Sequence, residues 1–388
     1  MHGAVIYGKQ DVRYEERPDP TILEPTDALI RTVAACVCGS DLWRYRGIAP
    51  VPRPKPIGHE YCGIVESVGE AVRTITPGQF VVGGFLHSDN SCPICRKGAH
   101  ANCQHGGGYD GCQAEKIRVP HADGTLIATP EVPSDELVPS ILALSDVMCT
   151  GWHAAVSAGV GPGTSVAVVG DGAVGLSAVL AAVQLGAATV IAMSRHADRQ
   201  AIAREFGASD VIAERGDEGI ARVKELTEGI GADCVLECVG TEDARLQAVG
   251  AVRDGGQIGL VGVPHGELPV DQLFWRNVGI KGARPMSGPT FPTCWTSSSP
   301  GPSTPDGCST WSCRSRRSPR RTPRWMSGAR SRCCCAPDGV DGGRHAAQWA
   351  RTSPVTLPQA TVWSAISSST CWVEEPRLTA SRAYTAKT

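Results

Sequence analysis

The stretch Ser165-Val-Ala-Val-Val-Gly170-Asp-Gly172-Ala-Val174-Gly175-Leu-Ser-Ala-Val-Leu-Ala-Ala-Val-Gln-Leu185 joins an apolar run to a glycine-rich turn and then to a helical pattern. Residues 166–169 read as a buried strand and 173–185 as the helix that follows it. Between them, Gly170, Gly172 and Gly175 carry no side chain where a pyrophosphate would approach the helix N-terminus. The GxGxxG pattern alone is weak evidence. Set between a strand and a helix, it marks a dinucleotide site, with Val174 inside the turn.

Outward from this turn, apolar runs recur at 165–169, 190–193, 208–212, 233–236, 257–261 and 279–282, with helical spacing between them at 173–185 and 198–206. Strands with helical crossovers in this number predict a doubly wound parallel sheet. Before about residue 146 the runs are shorter and alternating, as at 28–35 and 63–70, and Gly and Pro punctuate them. That pattern suits a small, irregular β-barrel-like domain.

The 388 residues are enough for two cores, and a formal charge of −2 gives no electrostatic reason to expect a nucleic acid or an anionic membrane as partner. Met1-His-Gly-Ala-Val-Ile-Tyr7 lacks the basic flank and apolar run of a signal peptide, and no stretch approaches the ~18 apolar residues of a membrane span. A cytoplasmic enzyme is therefore expected. The 17 cysteines include pairs at two-residue spacing, which in such a chain are metal ligands more often than a disulfide framework.

Three clusters precede the turn: Cys38-Gly-Ser40-Asp41, Gly58-His59-Glu60, and Cys92-Pro-Ile-Cys95 with Cys103 beyond. A lone Cys is most often a small buried apolar residue, so each cluster by itself says little. In order and spacing, the clusters and the turn together resemble the medium-chain dehydrogenase/reductase superfamily, zinc-dependent alcohol dehydrogenase family, over about residues 1–282. The resemblance implies an α/β chain with a GroES-like, β-rich, zinc-binding catalytic domain at 1–150 and a Rossmann NADP-binding domain at 151–284. It implies hydride transfer between an alcohol and an aldehyde or ketone, in a homodimer or homotetramer.

By the same resemblance, Cys38 and His59 are ligands of a catalytic Zn²⁺, and the third ligand lies four residues before a Thr-Gly pair. Here that pair is Thr150-Gly151, which selects Asp146; nearby Cys149 has the wrong offset. One thiolate and one carboxylate neutralise the dication as two thiolates would. Asp41 would orient His59, and Glu60 would stand close enough to the metal to exchange with a ligand or water. Ser40 resembles the hydroxyl of a proton relay. Where some relatives continue that relay with a His, this chain has Trp43. Cys92, Cys95 and Cys103 match three of the four structural zinc ligands, and Asp89 holds the place of the first. Cys112 is a less well spaced substitute.

The end of the second strand selects the nicotinamide cofactor, because an acidic residue there repels a 2′-phosphate. This chain has Ser194 at that position, Arg195 beside it and Arg199 one turn into the helix. A hydroxyl and two guanidinium groups suit a phosphate dianion, which favours NADP(H) over NAD(H). Thr150 and Val261-Gly262-Val263 sit where relatives contact the nicotinamide.

From Pro285 to Thr388 the only Ile is Ile366 and the only Leu are Leu357 and Leu378, while Arg, Ser, Pro and Thr abound and six of the nine Trp collect. Neither helical nor strand periodicity survives the prolines. Back-translated with GC-rich codons and read in another frame, 288–311 can become an amphipathic helix, a turn and a strand. We read 285–388 as an out-of-frame, poorly structured tail that leaves assembly in doubt. The alternative function is a catalytically impaired zinc- and nucleotide-binding protein.

Overall fold

The computed structural model describes residues 1–263, 267–282, 284 and 371–373. Ser165–Val169 is the first strand of a six-stranded sheet. Thr189–Met193 and then Asp210–Ile212 lie on one side of it, and Ala232–Glu237, Val252–Leu260 and Gly279–Gly282 on the other. Every pairing in this sheet is parallel. Parallel neighbours require crossovers, supplied by the helices Ala173–Gln184, Ala197–Glu205, Gly216–Glu225 and Glu242–Ala251. The order reverses between the first and fourth strands, so the crevice at the carboxyl ends opens beside the glycine turn.

Covering helices on both faces make the central strands apolar throughout. Val166, Ala167, Val168 and Val169 are all buried; Val166 and Val168 face one core cluster, Ala167 and Val169 the other. Each fully buried Val contributes about 1.5–3 kcal/mol.

The preceding residues form antiparallel sheets. The main one runs Leu126–Ala128, Phe80–Gly83, Glu60–Val68 and Ala28–Cys36, with Lys116–Val119 also on Ala28–Cys36. Asp27, fully buried at the edge of this sheet, accepts the backbone N–H groups of Leu23 and Glu24 and both arms of Arg118. That carboxylate pins an irregular loop to two strands.

Helix Val147–Ser157 runs on from the β-rich part and packs on Ala173–Gln184. The domain boundary expected at residue 150 therefore falls inside a continuous helix. Gly151 permits the contact, since a Cβ there would lie 2.5 Å from the backbone N of Ala178. The tail expected at 285–388 lies outside the described residues except for Cys371–Val373. That strand pairs antiparallel with Ala34–Cys36. Among the described residues no helix is long and apolar enough to cross a membrane.

The glycine turn is sterically closed at its far end. A Cβ on Gly175 would lie 2.0 Å from the Gly170 carbonyl oxygen, while Gly170 itself adopts φ +116°. Gly175→Ala is expected to cost about 1–3 kcal/mol by overpacking, read as a fall of several degrees in the thermal unfolding midpoint. An unchanged midpoint would show that the turn can relax around a methyl group.

Candidate functional site

Cys38 stands at the N-cap of helix Gly39–Tyr45, His59 just ahead of strand Glu60–Val68, and Asp146 at the N-cap of helix Val147–Ser157. The fold brings these three together with Glu60, and ligand atoms of the four lie within 4.8 Å of one another. Asp146 Oδ2 is 3.4 Å from Cys38 Sγ and 3.4 Å from His59 Nε2. Zinc bond lengths in a tetrahedral array separate neighbouring sulfur, nitrogen and oxygen ligands by roughly 3.3–3.8 Å. The spacing fits the ion.

The surrounding groups aim these ligands. Thr150 Oγ1 donates to Asp146 Oδ1 at 2.7 Å, leaving Oδ2 directed at Cys38 and His59. Asp41 accepts the Cys38 backbone N–H at 3.1 Å, and its other oxygen lies 3.6 Å from His59 Nδ1. The Ser40 hydroxyl hydrogen-bonds the Cys38 sulfur. Phe85 stands edge-on to the His59 ring at 5.9 Å. Cys149 turns away, its thiol donating to the Leu144 carbonyl.

Burial and charge crowding make this set ill-suited to stand without a cation. Burial, then the charges of Asp146 and Glu60, push the Cys38 thiol well above its usual range. Burial and Asp146 likewise push up the Glu60 carboxyl, whose Oε1 is buried without a hydrogen-bond partner. Burial opposes charge on His59, yet Asp146, Asp41 and Glu60 push it up to about 9. A divalent cation would displace these protons and match the donors.

In the second lobe, Asp89, Cys92, Cys95 and Cys103 converge in the same way. Cys92 Sγ lies 3.4 Å from Cys95 Sγ and 3.9 Å from Cys103 Sγ; Asp89 Oδ1 is 3.4 Å from Cys95 Sγ and 3.2 Å from Cys103 Sγ. These separations also suit tetrahedral zinc. Asp89 Oδ2 takes His105 Nδ1 at 2.5 Å, a contact with no sequence signal. Cys112 is buried in the β-rich core, outside this set.

At the nucleotide end, Gly170, Gly172 and Gly175 form the turn, Val174 is half-buried inside it, and no side chain caps the helix that begins after Gly172. A Cβ on Gly172 would meet nothing within 4 Å, which leaves an open approach to the helix N-terminus. Val261 and Gly262 donate to the Glu237 carbonyl, and Val263 is exposed beside them.

Ser194, Arg195 and Arg199 gather at the end of the second strand. All three donate to Asp171, which the sequence reading left without a role: Ser194 Oγ at 3.0 Å, Arg195 N at 3.3 Å and Arg199 at 3.1 Å. Arg215, beyond the neighbouring strand Asp210–Ile212, was also missed. Burial and the charge of Arg195 lower its pKa while Asp171 pulls it back, which places it in the same cluster. Its signal was position, because the third strand lies next to the second. Arg199 and Arg215 both act on Asp171, the first by a hydrogen bond and the second through its charge.

Residues 24–131 match the alcohol dehydrogenase GroES-like domain, and residues 173–297 the zinc-binding dehydrogenase family. The chain is 34% identical over 281 residues to zinc-type alcohol dehydrogenase B of Aspergillus flavus, covering 69% of this chain and 65% of that one, just under two thirds of its length. It is 34% identical over 282 residues to a medium chain reductase/dehydrogenase of an Acremonium species, covering 69% of this chain and 96% of that one. The structure of alcohol dehydrogenase TADH from Thermus sp. ATN1 superimposes with a TM-score of 0.66 at 34% identity, over 73% of this chain and 85% of that one.

Each donor set is expected to hold its own zinc ion. Elemental analysis of Cys38→Ser should show one zinc fewer than the parent chain with the lobe ion kept, and Cys95→Ser the converse. Loss of both ions from Cys38→Ser would show that the sets are not independent.

Proposed function

The chain belongs to the zinc-dependent alcohol dehydrogenase family of medium-chain dehydrogenases, and from that premise we propose that it transfers hydride between an alcohol and an aldehyde or ketone with NADP(H) as cofactor. The observation that carries this reading is the converging set Cys38, His59, Glu60 and Asp146. It is joined through Thr150 to a helix packed against the glycine-turn helix. Bound there, zinc supplies a Lewis acid for the substrate oxygen, and the nicotinamide accepts or gives the hydride.

The chain's own groups do the rest. Cys38, His59 and Asp146 would hold the metal, with the Glu60 carboxylate close enough to exchange with a ligand or water. Of the two hydroxyls that touch the set, Thr150 has its proton committed to Asp146 Oδ1. Ser40, which resembles the relay hydroxyl of the family, would take up the alcohol proton while passing on its own. With Trp43 where some relatives have a relay His, Ser40 would have to pass the proton on by another route, and Trp43 would wall the substrate pocket.

Gly170, Gly172, Val174 and Gly175 accommodate the pyrophosphate, and Val261, Gly262 and Val263 border the nicotinamide. Gly262 is required there, since a Cβ would lie 2.1 Å from the Gly240 backbone N. Ser194, Arg195 and Arg199 would hold the 2′-phosphate, which would set the preference for NADP(H). The same reading places the enzyme in the cytoplasm as a homodimer or homotetramer, with strand Gly279–Gly282 at the assembly edge.

The composition of residues 285–388 favours one rival, a chain that binds zinc and nucleotide without turnover. Purified protein is expected to reduce simple aldehydes with NADPH and to bind NADPH at least about tenfold more tightly than NADH, about 1.4 kcal/mol. Cys38→Ser should abolish turnover and keep NADPH binding. NADPH binding with no turnover in the unmodified chain would establish the rival instead.

A further inference from the structure

Two of the donors assigned to the 2′-phosphate, the Ser194 hydroxyl and the Arg199 guanidinium, are already held by one carboxylate, which also takes the Arg195 backbone N–H. Asp171, between the first two glycines of the turn, is only 8% exposed. Its Oδ2 accepts Ser194 Oγ and the Arg195 backbone N–H, and its Oδ1 accepts the Arg199 guanidinium. Ser194 is fixed from the other side: its N–H donates to the Ile212 carbonyl, and its own carbonyl accepts Gln200 Nε2. The donors are thus set in place around an anion that belongs to the protein.

We infer that Asp171 is a specificity-determining residue, an internal stand-in for the 2′-phosphate that keeps Ser194 and Arg199 poised and then competes with the incoming phosphate for them. This inference rests on the NADP(H) reading of the site. A phosphate dianion offers more acceptor oxygens than a carboxylate and draws the Arg199 fork more strongly. The carboxylate it displaces keeps the Arg195 N–H but loses a cation, and it faces the new charge at short range. NADP(H) binding bears that opposition. NAD(H), with a neutral ribose hydroxyl at the same place, leaves the Asp171–Arg199 pair intact.

The test compares nucleotide affinities in the full chain by the fluorescence of bound NADPH and NADH, with 2′,5′-ADP and 5′-AMP as displacing probes. These readouts require no turnover. Asp171→Asn is expected to tighten NADPH and 2′,5′-ADP about tenfold and to leave NADH and 5′-AMP within about threefold. Asp171→Glu, which keeps the charge, should retain the parent's affinities. In an Arg199→Met background the gain from Asp171→Asn should shrink to about threefold or less, because the contested donor is gone.

Weaker or unchanged NADPH binding in Asp171→Asn, with NADH binding intact as proof of folding, overturns the inference. So does a selective loss of NADH affinity, which would make Asp171 a ribose ligand. Equal affinity of the unmodified chain for NADPH and NADH would remove the cofactor reading. The Asp171 assignment is decided separately, by the NADPH ratio between variant and parent.

Discussion

Three acids, half-buried Cys38 and buried Glu60 and Asp146, meet around a single imidazole, His59. Without a cation, that charge is relieved by protonation. Burial drives the thiol and the Glu60 carboxyl toward their protonated forms, while His59 is pulled toward its charged one. The surrounding structure serves to hold these groups together in one place. Two helix N-caps and the start of a strand aim them inward, and Asp41 and Thr150 brace the ligands from behind. A dication is the species that makes the arrangement favourable.

The nucleotide end has the opposite problem. Arg195, Arg199 and Arg215 bring positive charge to the carboxyl edge of the sheet, and Asp171 is the acid that tempers it. Backbone geometry there is set by glycine: positive φ at Gly170 and close approach at Gly175. The metal end is thus rich in acids and the nucleotide end in bases, and the mature charge balance of each is completed by a bound partner of the other sign.

Much of this was legible in the sequence because ligand chemistry limits residue choice. Cys38, His59 and the cysteine lobe could be picked out by type and spacing, and the period of the apolar runs placed all six parallel strands, though ends moved: the fifth begins at Val252, not 257. What stayed hidden depended on neighbours distant in sequence. Asp171 is an unremarked letter inside the quoted stretch until the strand order brings Ser194 and Arg199 against it. Arg215 becomes relevant only because the third strand flanks the second. Thr150 donates its hydroxyl to Asp146, a choice set by side-chain rotation that spacing cannot express.

Helix Val147–Ser157 begins at Asp146 and lies so close to Ala173–Gln184 that Gly151 is needed at the crossing. Asp146 therefore travels with the parallel sheet, whereas Cys38 and His59 belong to the β-rich part. The proposed zinc ligands are thus divided between the two parts of the chain. A bound ion would act as a rivet through both, so any opening of the cleft must pivot about the metal or strain its bonds.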